Sequence, residues 1–334
     1  MSAMANPSLS VVIPVYNEEE VLPALFARLY PALDALACTY EVVFVNDGSR
    51  DKSPALLREK FQERPDVTRV VLFNGNFGQH MAIMAGFEHC RGERVVTLDA
   101  DLQNPPEEIG KLLAKMDEGH DYVGSIRRMR QDAAWRRWAS KAMNGLRERL
   151  THIRMTDQGC MLRAYGRPIV EAIRSSREVS TYIPALAYSY AQSPAEVEVE
   201  HEERAGGESK YSLYKLIRLN FDLVTGFSIV PLQLFSIFGI GVSIVALASY
   251  VVVIAKRILT GEANGLWVIW DRDILAFFLI GVLLFGMGLV GEYVGRIYQQ
   301  VRERPRYTVR AVLEQPERPL RGGVQERDRE RDRA

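Results

Sequence analysis

The sequence has little cysteine and no excess of charge of either sign. Its three cysteines, Cys38, Cys90 and Cys160, have neither the pair spacing of a disulfide framework nor the histidine pattern of a zinc site. Lysine plus arginine and aspartate plus glutamate both number 42, so no global charge indicates a nucleic-acid partner. The first ten residues, MSAMANPSLS, lack the basic and apolar regions of a signal peptide. We therefore expect a protein of a reducing compartment that binds no nucleic acid.

The sequence also lacks the G-x-G-x-x-G motif of a dinucleotide-binding fold, because IPVYNEEE stands where the first strand ends. Short β-branched runs alternate with helical patterns through the first hundred residues or so. The runs are Ser10–Tyr16, Tyr40–Asp47, Thr68–Asn74 and Glu93–Asp99. This alternation predicts an α/β fold with a Rossmann-like, mostly parallel sheet and helices on both faces. The missing motif excludes a nicotinamide or flavin enzyme.

Charge is absent from two long stretches in the last third of the chain. Residues 231–255 carry no charged side chain and would reach about 37 Å as a helix. Ile274–Val290 is a second uncharged stretch, with recurring glycines that suit close packing of membrane helices. The two stretches predict two transmembrane helices, and a buried hairpin of a soluble core is the alternative. Arginines after the second stretch favour the cytoplasm for both flanking segments.

These features divide the chain into four parts. They are a cytoplasmic α/β domain (1–210), an amphipathic juxtamembrane region (211–230), two transmembrane helices with a short periplasmic connector (231–295) and a basic cytoplasmic segment (296–334). The last segment ends in a charged tail typical of disorder. A helix predicted over Ser212–Thr225 has one apolar face, which fits either the membrane surface or packing on the sheet.

Two carboxylates follow the fourth predicted strand. In TLDADLQNPPEE, Asp99 and Asp101 flank one alanine, and Gln103 comes next but one. Ligands of such sheets bind at the carboxyl ends of the strands. Hard oxygen ligands in this spacing can bind Mg²⁺ or Mn²⁺ together with a diphosphate, although a solvated turn is the alternative. The pattern favours a site for a divalent cation and a diphosphate, and does not discriminate between the two metals.

Several motifs together resemble one family. VVIPVYNEEE, VNDGSRDKS, NFGQHMAIMAGF, LDADLQNPPEEI, YVGSIR and GESKYS, followed by two apolar stretches, are similar to the inverting family 2 glycosyltransferases that charge a polyprenyl phosphate with a sugar. The likeness runs from Leu9 to Arg310 and implies a GT-A-type domain at the bacterial inner membrane. FGQHMAIMAGF, LQNPPEEI, RQD and DQGCMLRAY resemble most the branch that transfers 4-deoxy-4-formamido-L-arabinose from UDP to undecaprenyl phosphate.

The resemblance implies a set of residues that contact the UDP-sugar donor. They are Pro14, Tyr16, Glu18, Asp47, Asp99, Arg204 and Lys210. Asp47 would accept hydrogen bonds from uracil or ribose, whereas Glu18 could instead compensate a helix dipole. Arg204 and Lys210 lie in a glycine-containing loop that could close over the diphosphate, or that could be a plain linker. His80 could contact the sugar, or could cap or pack its helix.

The resemblance also implies three catalytic carboxylates, Asp99, Asp101 and Asp157, with Asp101 and Gln103 as ligands of Mn²⁺ or Mg²⁺. Asp157, in MTDQGC, matches an acidic position near the reacting sugar and could act as a general base. The acceptor is a phosphate monoester whose second pKa is about 6, so it arrives mostly as a dianion. We therefore expect Asp157 to orient substrate groups or to stabilise positive charge at the anomeric carbon, with base catalysis as a secondary role.

The segment from Arg127 to Lys141 is basic and contains two tryptophans. Guanidinium groups suit phosphate oxygens, and tryptophans suit the headgroup region. The candidate ligands of the acceptor phosphate are Arg127, Arg136, Arg137 and Lys141. An ordinary basic surface helix is the alternative. The resemblance favours Arg127 and one of Arg136 or Arg137.

Other functions fit parts of the sequence. A polyprenyl-phosphate glucosyl- or mannosyltransferase would share the general motifs, and a non-catalytic membrane adaptor would keep the fold without the activity. A processive polysaccharide synthase is disfavoured because the sequence has no Q-x-x-R-W motif. The resemblance further implies a role in lipid A modification and polymyxin resistance, and a homo-oligomer, in relatives a tetramer. The segment Arg306–Leu313 could be a strand that pairs with a neighbouring copy.

Overall fold

An eight-stranded mixed sheet organises the protein. The computed structural model describes residues 6–127, 155–157, 159–176, 182–202, 225, 228–260, 267–302 and 305–315. The strands are β1 (Leu9–Val15), β2 (Tyr40–Asn46), β3 (Thr68–Phe73), β4 (Arg94–Thr97), β5 (Tyr122–Arg127), β6 (Arg163–Gly166), β7 (Pro194–Val199) and β8 (Val309–Leu313). Their order across the sheet is β7-β5-β6-β4-β1-β2-β3-β8. The four strands predicted from the β-branched runs are therefore confirmed.

Most of the strand pairings are parallel. β1 pairs in parallel with β2 and β4, β2 with β3, and β5 with β7. The antiparallel pairs are β3 with β8, and β6 with both β4 and β5. β1 and β3 are buried at every residue, as expected for strands covered on both faces.

Helices cover both faces of the sheet. They are α1 (Leu22–Asp34), α2 (Ser53–Glu63), α3 (Gln79–His89), α4 (Ile109–Asp117), α5 (Arg167–Ser175) and α6 (Ile183–Tyr190). Ile13 of β1 belongs to the core beneath α1, α2 and α4, whereas Val12 packs in the core beneath α3, α5 and α6. Gly86 lets α3 approach the sheet, because a Cβ there would lie 2.1 Å from Val12 Cγ1.

The strand directions bring the candidate residues to one edge of the sheet. β1 to β4 run in parallel, and β5 and β7 run in the same direction because β6 lies antiparallel between β4 and β5. Tyr16, Asp47 and Asp99 follow β1, β2 and β4, Arg127 ends β5, and His201 follows β7. The segment before β6 enters from this same edge. The fold thus positions residues from distant parts of the chain around one site.

Two long helices follow the sheet domain, α7 (Val230–Thr260) and α8 (Trp267–Val301). Within the described residues, Phe278–Val301 is long and apolar enough to cross a membrane, with mean hydropathy 1.8, and Val230–Val242 is a shorter apolar helical stretch. Only 11% of the window in α8 is buried, which disfavours the core helix of a soluble protein. By length and hydropathy, one of the two predicted transmembrane helices qualifies as a membrane span among the described residues.

The two long helices pack against each other through an aromatic contact. The rings of Phe235 and Phe285 have centroids 5.8 Å apart, and a Cβ at Gly286 would lie 2.2 Å from the Phe235 ring. The hydroxyl of Tyr293 donates to the Ser228 carbonyl at 2.7 Å. Of the amphipathic helix predicted over residues 212–225, only the last residue belongs to the described part of the chain.

The chain returns to the sheet after α8. β8 lies antiparallel to β3, with Leu72 opposite Ala311. The ring of Tyr307 stacks on Phe73 with centroids 4.8 Å apart, and Arg306 donates to the Ser176 carbonyl at 2.6 Å. The strand predicted after the membrane helices is therefore present. Its partner is β3 of the same chain instead of a neighbouring copy, so part of the predicted C-terminal segment belongs to the sheet.

Candidate active site

The loop after β3 is anchored to the end of β2 by Asp47. The two carboxylate oxygens of Asp47 accept hydrogen bonds from the backbone N–H groups of Phe77 (2.7 Å) and Gly78 (2.9 Å). Burial raises the pKa of Asp47, and these two bonds oppose that rise. Gly48 has φ +69°, and a Cβ there would lie 2.4 Å from the Gly75 carbonyl carbon. Asp47 thus fixes the start of α3, a task that the sequence did not indicate.

The start of α3 in turn contacts Asp99. The Gln79 side-chain amide donates to Asp99 Oδ1 at 2.6 Å. Burial, and then the charge of Asp101, raise the pKa of Asp99 to about 7. Asp99 and Asp101 are half-buried carboxylates that repel each other, so together they attract a cation. Gln79 is therefore a site residue that the sequence analysis did not single out.

The turn that carries Gln103 has an unusual backbone. Leu102 has φ +59°, a left-handed conformation that costs a non-glycine residue roughly 1–2 kcal/mol. The turn is held by the Gln103 N–H, which donates to Asp101 Oδ1 at 3.2 Å, and by buried Asn104, which accepts from the Cys160 thiol at 3.2 Å. This turn thus places the backbone of Gln103 beside the Asp101 carboxylate.

Arg127 and Asp157 form a bidentate ion pair. Arg127 Nε lies 2.6 Å from Asp157 Oδ2, and Nη2 lies 2.8 Å from Oδ1. The Gly159 N–H also donates to Oδ1 at 3.0 Å. Burial favours the neutral form of Asp157, but the hydrogen bonds and charge of Arg127 outweigh it and lower the pKa. Asp157 is therefore a weakly basic carboxylate, which agrees better with an orienting role than with general base catalysis.

His201 is a site residue that sequence reasoning missed. The N–H of the next residue, Glu202, donates to the Gln103 carbonyl at 2.9 Å, which holds this segment against the turn that carries Asp101 and Gln103. Burial and the charge of Arg127 lower the pKa of His201, while the charges of Asp101 and Asp157 act in the opposite direction. Its Nδ1 is buried and has no hydrogen-bond partner among the described residues. No motif in VEVEHEER pointed to it, because only the pairing of β7 with β5 brings it here.

The other described residues of the predicted donor site lie in or just after β1. Pro14 is buried in the strand, whereas Tyr16 is 44% exposed beyond it. Asn17 follows with φ +54°, and its side chain accepts from the Arg50 N–H at 2.9 Å. The Glu18 N–H donates to Ser53 Oγ at 3.0 Å, and its carbonyl accepts from the start of α1. An exposed aromatic ring beside fixed polar backbone suits the face of a nucleotide base.

Five predicted residues lie outside the described part of the chain. They are Arg136, Arg137, Lys141, Arg204 and Lys210. The acceptor-phosphate and diphosphate roles assigned to them stay predictions, as do the donor and metal roles of the described residues.

The carboxylates and the amide fit a hard divalent cation. Asp99, Asp101 and Gln103 offer oxygen ligands, and burial together with the charge of Asp101 raises the pKa of Asp99, which a bound cation would oppose. Among the described residues, no three His, Cys, Asp or Glu side chains are grouped closely enough to enclose a metal ion. A site of this kind would rely on an amide oxygen, phosphate oxygens and water to complete the shell, as Mg²⁺ sites commonly do.

The sequence matches a known protein family and several named relatives. Residues 10–174 match the family described as glycosyl transferase family 2. A Pseudomonas aeruginosa protein is 49% identical over 91% of this chain and 90% of its own length, and one from Shewanella sediminis is 47% identical over 91% and 92%. Both carry the name undecaprenyl-phosphate 4-deoxy-4-formamido-L-arabinose transferase.

Solved structures are more distant. Glucosyl-3-phosphoglycerate synthase from Mycobacterium tuberculosis, solved with Mg²⁺ and UDP, is 17% identical, covers 67% of this chain and 79% of its own, and has a TM-score of 0.48. A likeness at that level carries no argument about ligands. The curated relatives do decide the family, because they match at nearly half of the aligned positions over almost the full length. The chain therefore belongs to glycosyl transferase family 2 and is a glycosyltransferase.

Proposed function

We propose that this protein transfers 4-deoxy-4-formamido-L-arabinose from UDP to undecaprenyl phosphate, with inversion at the anomeric carbon. The observation that carries the proposal is the cluster of Asp99, Asp101, Asp157 and Arg127 at one sheet edge, in a chain that aligns over 91% of its length with relatives of that name. The lipid-linked product would serve lipid A modification and polymyxin resistance.

The donor would bind across the ends of β1, β2 and β4. Tyr16 offers an exposed ring to the uracil, and Asp47 holds the loop against which the ribose would lie. Asp101 and Gln103 would hold Mn²⁺ or Mg²⁺ on the diphosphate, where the ion would offset the charge that builds on departing UDP. His201 would lie beside the same diphosphate, because the Glu202 N–H holds this segment on the Gln103 carbonyl.

The reaction is a single displacement. An oxygen of the acceptor phosphate forms a bond to the anomeric carbon while the bond from that carbon to the diphosphate oxygen breaks, and UDP leaves with the electron pair. The acceptor is mostly a dianion at neutral pH, so no proton has to leave the attacking atom. This chemistry needs cationic and hydrogen-bonding groups that hold two anions together more than it needs a base.

Arg127 and Asp157 would supply that arrangement. The Asp157 carboxylate accepts from Nε and Nη2 of Arg127, and Nη1, on the outer side of the guanidinium, would donate to the acceptor phosphate. Asp157 keeps the guanidinium in one orientation and stays ionised, since its pKa is lowered. Its charge would also stabilise positive charge at the anomeric carbon in the transition state. Arg136 or Arg137, Lys141, Arg204 and Lys210 would add the remaining cations.

The membrane arrangement follows from the two long helices. We propose that α7 and α8 both cross the inner membrane and that the sheet domain lies in the cytoplasm. Exposed apolar side chains along α8, such as Leu284 and Phe285, suit contact with lipid. The basic segment from Arg127 to Lys141, with its tryptophans, would then meet the lipid phosphate at the headgroup level. Assembly as a homo-oligomer is part of the same proposal.

The test is transfer by the purified full-length protein in detergent. Undecaprenyl phosphate and Mn²⁺ are supplied with UDP-4-deoxy-4-formamido-L-arabinose or UDP-glucose, and UDP release is measured together with product mass. GDP-mannose is assayed separately by product mass. Turnover of the arabinose donor alone supports the proposal, turnover of a hexose donor moves the protein to a neighbouring branch, and no turnover with any donor favours the adaptor.

A pair of variants tests the metal assignment. Asp101→Ala should abolish turnover while the protein stays folded and membrane-bound. The matched control is Asp117→Ala, an aspartate that is 71% exposed and paired with Arg94 at 2.8 Å. The control should keep wild-type turnover. Undiminished activity of Asp101→Ala would refute the assignment.

A further inference from the structure

Arg163 is a fully buried cation whose described hydrogen bonds all go to neutral groups. Its exposed fraction is 0%, and by volume it is the largest fully buried side chain described. Nε donates to the Cys160 carbonyl (2.8 Å) and Nη2 to the Asp157 carbonyl (2.6 Å). Nη1 donates to the Tyr122 hydroxyl (2.5 Å) and approaches Met155 Sδ at 3.8 Å. Burying a charge without an opposite charge is unfavourable, so this residue needs an explanation.

The four contacts explain why an arginine stands at this position. The guanidinium is a planar fork that donates in several directions at once, whereas a lysine ammonium is a point charge on a flexible chain. Arg163 uses three sides of that fork to join β5, through Tyr122, to the segment from Met155 to Cys160. An apolar side chain would leave the carbonyls of Asp157 and Cys160 without these donors.

Asp157 is held from two sides. Its backbone carbonyl accepts from Arg163, while its carboxylate accepts from Arg127 and from the Gly159 N–H. Fixing the carbonyl restricts the backbone of Asp157 and thereby the position of its carboxylate. Gly124 on β5 provides the room, because a Cβ there would lie 3.1 Å from Arg163 Nη1.

We propose that Arg163 is a positioning residue for the transfer reaction: it fixes the backbone of Asp157 so that the carboxylate meets Arg127 and holds it for the acceptor phosphate. This proposal rests on the proposed function, because its kinetic test measures the transfer reaction. Arg163 is fully buried and contacts the backbone carbonyl of Asp157, whereas Arg127 contacts the carboxylate. It therefore acts on the use of the acceptor and leaves the binding of UDP to other residues.

The test compares Arg163→Lys with a matched control elsewhere in the sheet. Arg69 is also buried, with a side chain 9% exposed, but it is paired with Glu41 (3.4 Å) and Glu314 (3.2 Å). Arg69→Lys therefore perturbs a buried arginine that is not bonded to the Asp157 segment. For both variants we would measure Tm, UDP affinity, kcat, the KM for undecaprenyl phosphate, and hydrogen–deuterium exchange of residues 155–162.

Arg163→Lys should lower kcat/KM for the lipid phosphate by about tenfold or more, with UDP affinity within about twofold of wild type. Exchange in residues 155–162 should rise. Arg69→Lys should keep kcat/KM within about twofold of wild type, even if its Tm falls as far as that of Arg163→Lys. Activity losses that follow Tm in both variants, or equal losses of UDP and lipid binding, would show that Arg163 serves packing alone.

Gly124→Ala keeps the proposal testable if Arg163→Lys does not fold. The added methyl group should displace the guanidinium by a few tenths of an ångström and lower lipid use in the same direction, by a smaller factor. An unchanged kcat/KM together with unchanged exchange would overturn the proposal. If the wild type shows no transfer, the proposed function fails, and the exchange comparison alone decides whether Arg163 holds this segment.

Discussion

Replacing Asp157 by asparagine removes the charge that holds Arg127 and leaves a guanidinium without its ion pair. The Asp157 side chain is 6% exposed and that of Arg127 is 21% exposed. Breaking a fully buried pair costs about 3–5 kcal/mol, and exposed pairs contribute about 0–1 kcal/mol. Arg127 can regain part of its hydration, so we expect Asp157→Asn and Arg127→Gln each to destabilise the protein by about 2 kcal/mol.

The double variant separates the pair from its members. If the ion pair is as close as the 2.6 and 2.8 Å contacts indicate, the two losses should not add, and the coupling energy should be about 1–2 kcal/mol. A loss of about 2 kcal/mol corresponds to a fall in Tm of roughly 4–8 °C. The assay is thermal unfolding of the purified protein in detergent, for the wild type, both single variants and the double variant.

A second cycle serves as the control. Arg94 and Asp117 form an ion pair at 2.8 Å in which Asp117 is largely exposed. The coupling between Arg94→Gln and Asp117→Asn should be below about 1 kcal/mol, since water screens the pair. A coupling energy between Arg127 and Asp157 no larger than that of the control pair would refute the argument that Asp157 holds Arg127.

Four further predictions follow from the site and its supports. Arg127→Ala should raise the KM for undecaprenyl phosphate more than the KM for the UDP-sugar, and a loss confined to the donor would move Arg127 to the donor side. Chelation of divalent cations should abolish turnover, and Mn²⁺ or Mg²⁺ should restore it. Gly48→Ala should lower both Tm and UDP affinity, because its Cβ would lie 2.4 Å from Gly75, whereas Gly119→Ala, where φ is +97° but the space is open, should affect Tm alone. Burial lowers the pKa of His80 to about 4, below its unfolded value of about 6.5. The unfolded state thus binds the proton first, so stability should fall by about 1–2 kcal/mol from pH 7 to pH 5. Thermal unfolding across this pH range should show a smaller fall in stability for His80→Gln than for the wild type. An equal fall would show that His80 does not cause the pH dependence.

The parts of the fold that could be predicted are those that local sequence determines. β1 to β4 are buried strands of a parallel sheet, and such strands consist of continuous β-branched runs that stand out in any sequence. The rule that ligands bind at the carboxyl ends of such strands then indicated Asp99 and Asp101. The family resemblance supplied Arg127 and Asp157 as separate residues.

The contacts between distant residues could not be predicted in this way. Arg127 and Asp157 are 30 positions apart and were assigned to different tasks, yet they form one ion pair. His201 comes to the site only because β7 joins β5 at the sheet edge. The buried partners of Arg163 are backbone carbonyls, which leave no mark on the sequence. Each depends on strand order, and strand order follows from the packing of the whole domain.

The pairing of β8 with β3 has a consequence for the order in which the protein is made. The ribosome completes β1 to β7 well before it reaches residues 309–313, and α7 and α8 are synthesised in between. During that interval β3 is an edge strand with unpaired backbone groups, which are prone to association with other chains. β8 therefore completes the sheet only after α7 and α8 have been made. A truncation before Val309 would leave β3 at the edge of the sheet and the newly made protein prone to aggregation.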